Sequence, residues 1–455
     1  MFDIVISNAT VVTMDSARRI IKRGAVAIEG QQIVGIGKSQ ELDKEPSDTK
    51  IDAEGDLVLP GFIDVHSHVQ SAVASLRGYG LEAPVRAAYP RWWRQMMVRR
   101  NVSDEDRYYL GMGGCLLDLR FGTTTLADWD FGEDAIAKAV RDLGLRGFLG
   151  EYLYGIDFLK TQDGIYVFSS DDAKRTLKAG LKLVDNWNDQ ADGRISCFLG
   201  PLAPDTCPPQ FLGEIKREAD IRSLRITTHL AQSQGELKFI KEEYSASPVD
   251  YMRDLLGQNT WVAHCNYITD EGIRVLKETQ TKVGLCPHVY AREGESTPLA
   301  KFLGQGCIVG LGTDGAPDMI RNMEMAMVAA YFRRGFLSEP DPPNSQKVLE
   351  LATIGGAKVL GKDREIGSLE VGKKADIIII DMNKPHLVPN VDPVANLVYY
   401  GNGNDVKTVI IDGKIVMENR TIKTVDEEPI LQKTQEAALN AWSKFYSEER
   451  LFADT

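Results

Sequence analysis

Residues 57–70, with the sequence LVLPGFIDVHSHVQ, end a short apolar run with two histidines, His66 and His68, set two apart. Side chains two apart in an extended segment point to the same side, so both imidazoles can face one ligand. The chain has only six histidines in 455 residues. A His-x-His pair alone is as consistent with polar residues at a strand end as with a metal site. The other histidines decide between these interpretations.

The region around this pair alternates short apolar runs with longer amphipathic segments. Eight such runs lie at residues 61–66, 122–129, 146–154, 194–201, 225–230, 260–265, 282–287 and 307–314. Eight strand–helix units predict an α/β fold, a (β/α)8 TIM-like barrel whose active site follows the carboxyl ends of the strands. A doubly wound dinucleotide fold is the competing interpretation, but no Gly-x-Gly-x-x-Gly motif follows the first strand of any unit.

The two ends of the chain have a different pattern. Residues 1–57 and 369–425 contain short alternating runs separated by turn residues, which is typical of antiparallel sheets. Neither block is long enough for a core of its own, so we expect both chain ends to form one small β-sandwich domain. Residues 58–368 form the predicted barrel, and residues 426–455 have the spacing of a C-terminal helix.

Composition limits the partners and the compartment. The net charge of −12 and the pI of about 5.2 disfavour nucleic acid and anionic membrane surfaces as partners. The start of the chain lacks the pattern of a signal peptide, and no run approaches the roughly 18 apolar residues of a spanning helix. We therefore expect a cytoplasmic protein with a small-molecule substrate. We also expect a homodimer or a higher homo-oligomer.

Four histidines and one aspartate fall at the carboxyl ends of predicted strands. His66 and His68 end the first strand, His229 the fifth, His264 the sixth and Asp314 the eighth. A barrel keeps its active site at this end, so we expect these side chains to converge. Imidazoles with a carboxylate suit zinc or a similar first-row ion. The pair in residues 57–70 is therefore predicted to bind metal.

Five motifs occur in order along the chain: LPGFIDVHSH, HLAQSQGE, AHCNYITDEGI, GLGTDG and GSLEVGKKADIIIID. Together they resemble the amidohydrolase superfamily, in particular its cytosine deaminase and triazine hydrolase branch, over essentially the whole chain. The resemblance implies one divalent metal ion per subunit, held by His66, His68, His229 and Asp314, with His264 beside the metal water. Zinc is expected first, with iron, manganese and cobalt as alternatives. Binuclear relatives use a carbamylated lysine from strand four, and RISCFLGP offers none.

These positions predict hydrolysis at an sp² carbon. A divalent ion lowers the pKa of bound water from about 15.7 to as little as about 7. Asp314 is the expected catalytic base, which takes a proton from the water and passes it to the leaving group. His264 is the second expected catalytic residue, because it can donate to the atom that gains charge.

One departure from the family motif bears on the substrate. Deaminases of this branch carry His-x-Ala-Glu after strand five, whereas this chain has Gln232 in the last position. Glutamine does not titrate, so the usual proton shuttle is missing, and we expect Glu236, one turn further, to be structural. The preferred substrate is therefore a neutral amide, urea, carbamate or thiocarbamate. The alternatives are an aminohydrolase or dechlorinase of a pyrimidine, purine or s-triazine and, more remotely, an inactive scaffold homologue.

Aromatic side chains crowd the predicted mouth of the barrel, which favours a moderately apolar substrate. The residues predicted to bind substrate are Gln232, Trp92, Trp93, Trp129, Tyr154 and His288. No arginine or lysine cluster is predicted near the site.

Overall fold

The computed structural model describes residues 1–77, 91–100, 102–161 and 166–453, with the backbone alone for residues 91–95 and 448–453. Strands alternate with helices through most of this length. The strands are β1 Phe2–Val12, β2 Ile20–Glu29, β3 Gln32–Lys38, β4 Ser47–Asp52, β5 Leu57–Pro60, β6 Phe62–Ser67, β7 Thr123–Asp130, β8 Arg146–Leu153, β9 Ile195–Pro201, β10 Arg225–Leu230, β11 Thr260–His264, β12 Lys282–Leu285, β13 Val309–Leu311, β14 Ile377–Ile380, β15 Val406–Ile411, β16 Lys414–Glu418 and β17 Thr421–Ile422.

Most helices connect consecutive barrel strands. The α-helices are Ser39–Leu42, Val69–Val73, Arg91–Arg100, Asp104–Arg120, Glu133–Leu143, Ser170–Trp187, Gln190–Gly193, Pro209–Arg222, Gln234–Tyr244, Pro248–Tyr251, Asp270–Glu278, Pro287–Arg292, Leu299–Gly304, Met319–Leu337, Ser345–Glu350, Gly356–Leu360, Pro393–Tyr400 and Glu427–Ala453. Shorter 3₁₀ turns lie at Pro204–Thr206, Arg253–Leu255 and Gly403–Asp405, and Leu351–Gly355 is a π-helical turn. None of the described helices combines the length and the apolar character needed to cross a membrane.

The predicted barrel is confirmed. Strands β6 to β13 pair side by side in chain order as a parallel sheet of eight strands. The last strand returns to the first through a parallel bridge between Ser67 and Asp314. The Asp314 N–H donates to the His66 carbonyl at 2.8 Å, and the His68 N–H donates to the Asp314 carbonyl at 2.8 Å. The backbone bonds that close the barrel therefore link the predicted ligands His66 and His68 to the predicted ligand Asp314.

Both chain ends contribute to a second sheet, as expected. Its strand order is β17-β16-β15-β14-β5-β1-β2-β3, with β4 paired to β1. Strands β5 and β14 run antiparallel, and all residues of both strands are buried. This pair therefore joins the N-terminal and C-terminal halves of the sheet through continuous apolar runs. The exact domain boundaries stay a prediction.

Buried charges and a long helix hold the pieces together. Arg146 at the start of β8 forms ion pairs with Asp376 at 3.1 Å and Asp412 at 2.7 Å, all three side chains being buried. The C-terminal helix Glu427–Ala453 packs on the helix Asp104–Arg120. Arg146 thus attaches the second sheet to the amino end of a barrel strand, opposite the end at which the site is predicted.

Candidate active site

The predicted ligands His68 and His229 face each other through their Nε2 atoms. The Nδ1 atom of His68 lies 2.8 Å from the carbonyl oxygen of Trp129, and that of His229 lies 2.7 Å from the carbonyl oxygen of Leu202. Each Nδ1 therefore carries the proton and donates it, which leaves each Nε2 with a lone pair. The two Nε2 atoms are 3.4 Å apart. A cation between them would relieve the repulsion of these lone pairs.

His66 and Asp314 complete the donor set. The ligand nitrogens of His66, His68 and His229 all lie within 4.8 Å of one another. Neither ring nitrogen of His66 has a hydrogen-bond partner among the described residues, although the side chain is fully buried. The Oδ1 atom of Asp314 lies 3.6 Å from His68 Nε2. Orphaned nitrogens beside a carboxylate fit one divalent ion, which would polarise a bound water and lower its pKa.

The protonation states suit this arrangement. Burial first, and then the neighbouring imidazoles, lower the pKa of His66 and His264 well below the ordinary value. Burial and neighbouring positive charge act in the same direction on His68. The pKa of His229 falls to about 3, chiefly through burial. These imidazoles are therefore neutral at neutral pH, which is the form that binds a metal ion.

The backbone is strained where these residues lie. Positive φ angles occur at Asp314 (57°), His264 (75°), Cys265 (55°) and Ala231 (47°). Residues other than glycine rarely adopt this region, and such residues concentrate at functional sites. The chain therefore turns sharply after β10, β11 and β13, next to the predicted metal site.

A cavity of about 480 Å³ opens above the histidines. His68, His229, His264, Asp314 and Gln232 all line it. Other described residues of its wall are Arg99, Tyr152, Tyr166, Asp205, Phe239 and Tyr290. Burial raises the pKa of Asp314 to about 7. The volume lies in the range of pockets that enclose a small molecule, and an acid that titrates near neutral pH faces it.

Three of the residues predicted to bind substrate do not line this cavity: Trp129, Tyr154 and His288. The Trp129 ring is fully buried and packs edge-on against His66, with 5.0 Å between the ring centroids. Trp92 and Trp93 have side chains outside the described residues. Of the six, Gln232 is the residue that the described structure brings to the cavity.

Residues 57–416 match the Amidohydrolase family, which covers most of the chain. The chain belongs to the amidohydrolase family. The resemblance stated from the motifs is thereby confirmed, and with it a metal-dependent hydrolase that acts on carbon–nitrogen bonds other than peptide bonds.

Two curated relatives match this amidohydrolase almost end to end. The 5'-deoxyadenosine deaminase of Methanosarcina acetivorans is 35% identical over 445 residues, which cover 96% of this chain and 98% of the relative. The 5-methylthioadenosine/S-adenosylhomocysteine deaminase of Moorella thermoacetica is 35% identical over 439 residues, which cover 94% and 97%.

Solved structures share the fold at lower identity. An adenosine deaminase from Xanthomonas campestris with bound zinc superposes with a TM-score of 0.84 at 20% identity, covering 97% of this chain and 99% of that one. An atrazine chlorohydrolase from Arthrobacter aurescens TC1 complexed with zinc gives 0.81 at 23% identity, covering 96% and 100%. Both likenesses support the barrel with its appended sheet.

Some residues of the amidohydrolase site were not predicted from the sequence. Arg99 is 2% exposed and lines the cavity. Its Nε lies 2.8 Å from Oδ2 of Asp130, and its Nη1 donates to the hydroxyl of Ser75 at 2.8 Å. Because Asp130 balances its charge, Arg99 adds a donor to the wall without an excess of positive charge. A second group of potential ligand atoms joins Cys286 to His66 and His264.

Gly312 allows β13 to approach His66. A Cβ at position 312 would lie 2.7 Å from the His66 Cβ and 3.0 Å from Sγ of Cys286, which is closer than packed atoms approach. We expect Gly312→Ala to displace His66 and, in protein first loaded with zinc, to lower the zinc retained after dialysis, measured by atomic emission. Gly213→Ala is the matched control, because a Cβ there meets nothing within 4 Å. Equal zinc retention in both variants would contradict this role.

Glu236 supports the loop that carries Gln232, as predicted. Its Oε1 accepts the Ala231 N–H at 2.8 Å, and its Oε2 accepts the Gln232 N–H at 2.9 Å. In Glu236→Gln one of these N–H groups would face an amide NH₂, which costs about 1–3 kcal/mol. We expect a lower midpoint of denaturant unfolding, with exposed Glu243→Gln as the control. An unchanged midpoint would show that the two N–H groups have other partners.

Proposed function

We propose that this amidohydrolase deaminates a neutral N-heterocycle of the adenine nucleoside type. The observation that carries the proposal is the match at 35% identity, over 96% of this chain, to a 5'-deoxyadenosine deaminase. The intact histidine and aspartate constellation supports it, because deamination is a hydrolysis at an sp² carbon. The proposal takes up the alternative raised from the sequence, in which a purine is the substrate.

The proposed metal ligands are His66, His68, His229 and Asp314, for one divalent ion per subunit. Zinc is the first choice, because nitrogen donors with one carboxylate suit it. Iron, manganese and cobalt use similar donors, so metal analysis of the purified protein distinguishes them.

Asp314 and His264 are the proposed catalytic residues. Asp314 takes a proton from the attacking water and delivers it to the departing amino group, which its place in the cavity 3.6 Å from His68 allows. His264 lines the cavity and stacks on His229, with 4.9 Å between ring centroids. From there it can donate a hydrogen bond to the oxygen that joins the substrate carbon. Tyr290, which also lines the cavity, packs edge-on against His264 with 5.0 Å between the ring centroids.

Gln232 favours a second candidate, the cleavage of a carbonyl-type C–N bond in an amide, urea, carbamate or thiocarbamate. A glutamine amide can orient a substrate carbonyl but cannot transfer a proton. Such a leaving group can receive its proton from Asp314 alone, whereas attack on a ring C=N needs a second donor. This candidate requires that none of the carboxyl groups lining the cavity protonates a ring nitrogen of the substrate.

A substrate panel separates the two candidates. We expect zinc-loaded protein to release ammonia from 5'-deoxyadenosine and related adenine nucleosides, with kcat on the order of 10 s⁻¹. Amino-pyrimidines, an s-triazine, a phenylurea, a carbamate and a thiocarbamate complete the panel, and chelator-treated protein is the control. Cleavage of the carbonyl-type compounds without ammonia from any heterocycle would contradict the proposal.

The cytoplasmic location and the homo-oligomer stay predictions. Exposed aromatic residues on the helix Met319–Leu337, namely Tyr331, Phe332 and Phe336, support a contact between subunits. Light scattering of the purified protein would measure the oligomeric state.

A further inference from the structure

Asp205 is an acid of the cavity that comes from a different loop than Gln232. It lies in the 3₁₀ turn Pro204–Thr206, which follows β9, and it is 3% exposed while lining the cavity. Its Oδ2 accepts the hydroxyl of Tyr166 at 2.5 Å. Its Oδ1 has no hydrogen-bond partner in the described part of the chain. A buried carboxyl oxygen without a hydrogen-bond partner destabilises the fold unless a proton or a ligand satisfies it.

The Asp205 side chain lies close to the Gln232 loop. The turn Pro204–Thr206 contacts the helix Gln234–Tyr244, and Glu236 of this helix accepts the Gln232 N–H at 2.9 Å through its Oε2. The Tyr166 ring packs on Phe239 of the helix that follows this loop, with 4.2 Å between ring centroids. Asp205 and Gln232 therefore belong to the same wall of the cavity, which Asp314 also lines.

We propose that Asp205 is the second acid of the active site and protonates the ring nitrogen of the substrate, in place of the carboxyl group that Gln232 lacks. This inference rests on the deaminase function proposed above. Tyr166 positions Asp205 by donating to Oδ2, which leaves Oδ1 as the oxygen that carries the proton. Burial raises the pKa of Asp205 to about 6, close to the range in which a general acid is effective.

The protons balance with two acids. As the water oxygen bonds to the amino-bearing carbon, the electron pair of the ring C=N bond moves to nitrogen, which takes the Asp205 proton. Asp314 accepts one proton of the water and gives it to the amino group, and the C–N bond breaks to release ammonia. The proton on the new C–OH group returns to Asp205 as the carbonyl forms. The product keeps one ring N–H, and both acids regain their starting states.

Asp205→Asn tests the proposal, because asparagine can still accept the Tyr166 hydroxyl but has no acidic proton. With the best substrate of the panel, we expect kcat to fall by roughly a hundred- to ten-thousand-fold, with zinc content and melting temperature unchanged. The double variant Asp205→Asn with Gln232→Glu restores an acid to the same wall and is expected to recover activity by about tenfold or more over Asp205→Asn. Asp205→Glu keeps a carboxyl group, and exposed Asp220→Asn is the surface control.

The outcomes separate this inference from the proposed function. An unchanged kcat in Asp205→Asn would overturn it. A loss accompanied by a lower melting temperature, with neither rescue by Gln232→Glu nor activity in Asp205→Glu, would assign a structural role and also overturn it. If the unaltered protein cleaves a carbamate but no heterocycle, the deaminase function fails. This inference alone fails if the unaltered protein releases ammonia from a heterocycle and Asp205→Asn does so with the same kcat.

Discussion

Replacing His66 or His229 by alanine is expected to leave well under one metal ion per chain and no measurable hydrolysis. Each change removes one of three histidine ligand nitrogens that lie within 4.8 Å of one another. Loss of an outer-shell partner alone typically costs about 10- to 100-fold in metal affinity, and the loss of a ligand should exceed that. The measurement is metal content by atomic emission, together with turnover of the best substrate.

Stability should fall only modestly in these variants, because a catalytic ion at strand ends contributes less to folding than a structural site does. His386→Ala is the matched control, since His386 is 40% exposed and bonds Asp405 away from the cavity. If full metal content and activity survived both His66→Ala and His229→Ala, the assignment of the metal centre would be wrong.

Asp314→Asn is expected to lower kcat by roughly a hundred- to ten-thousand-fold even when excess zinc fills the site. Asparagine keeps the shape of the side chain, but it can neither accept the proton of the water nor deliver it to the leaving group. The readout is kcat at saturating zinc, with exposed Asp341→Asn as the surface control. Turnover near that of the unaltered protein would remove Asp314 from the proton path.

The barrel was predicted well from the sequence, because its strands show as short-range patterns, while the ligand positions at the strand ends stay a prediction. Each apolar run marks a strand, and a polar residue at its carboxyl end falls at the rim of a barrel whatever the loops do. The same reasoning joined the chain ends, since runs such as Leu57–Pro60 and Ile377–Ile380 need partners on both sides.

The substrate pocket was harder to predict, because loops and strand ends set it. Trp129 was expected at the mouth of the barrel, but β7 continues to Asp130 and the Trp129 ring is fully buried. His288 lies in the helix Pro287–Arg292, where its N–H donates to Asn322 at 3.1 Å. A shift of a residue or two at the end of an element moves such side chains between core and cavity.

The motif that contains Gln232 does not by itself show which acids line the cavity. The sequence indicated that the acid was missing at this position, which favoured carbonyl-type substrates. The structure brings Asp205 from the turn after β9 into the same cavity. Arg99 reaches the cavity from a helix in the same way. The tertiary fold brings these side chains to the cavity, so no local sequence spacing predicts their position.

The most direct test of the proposed deamination is the reaction of zinc-loaded protein with 5'-deoxyadenosine in heavy-oxygen water, followed by mass spectrometry. We predict release of ammonia and a product whose ring carbonyl carries one solvent oxygen, because water replaces the amino group at an sp² carbon. Deamination would be contradicted if the nucleoside returned unchanged while a carbamate or urea in the same solution was cleaved with solvent oxygen in its product.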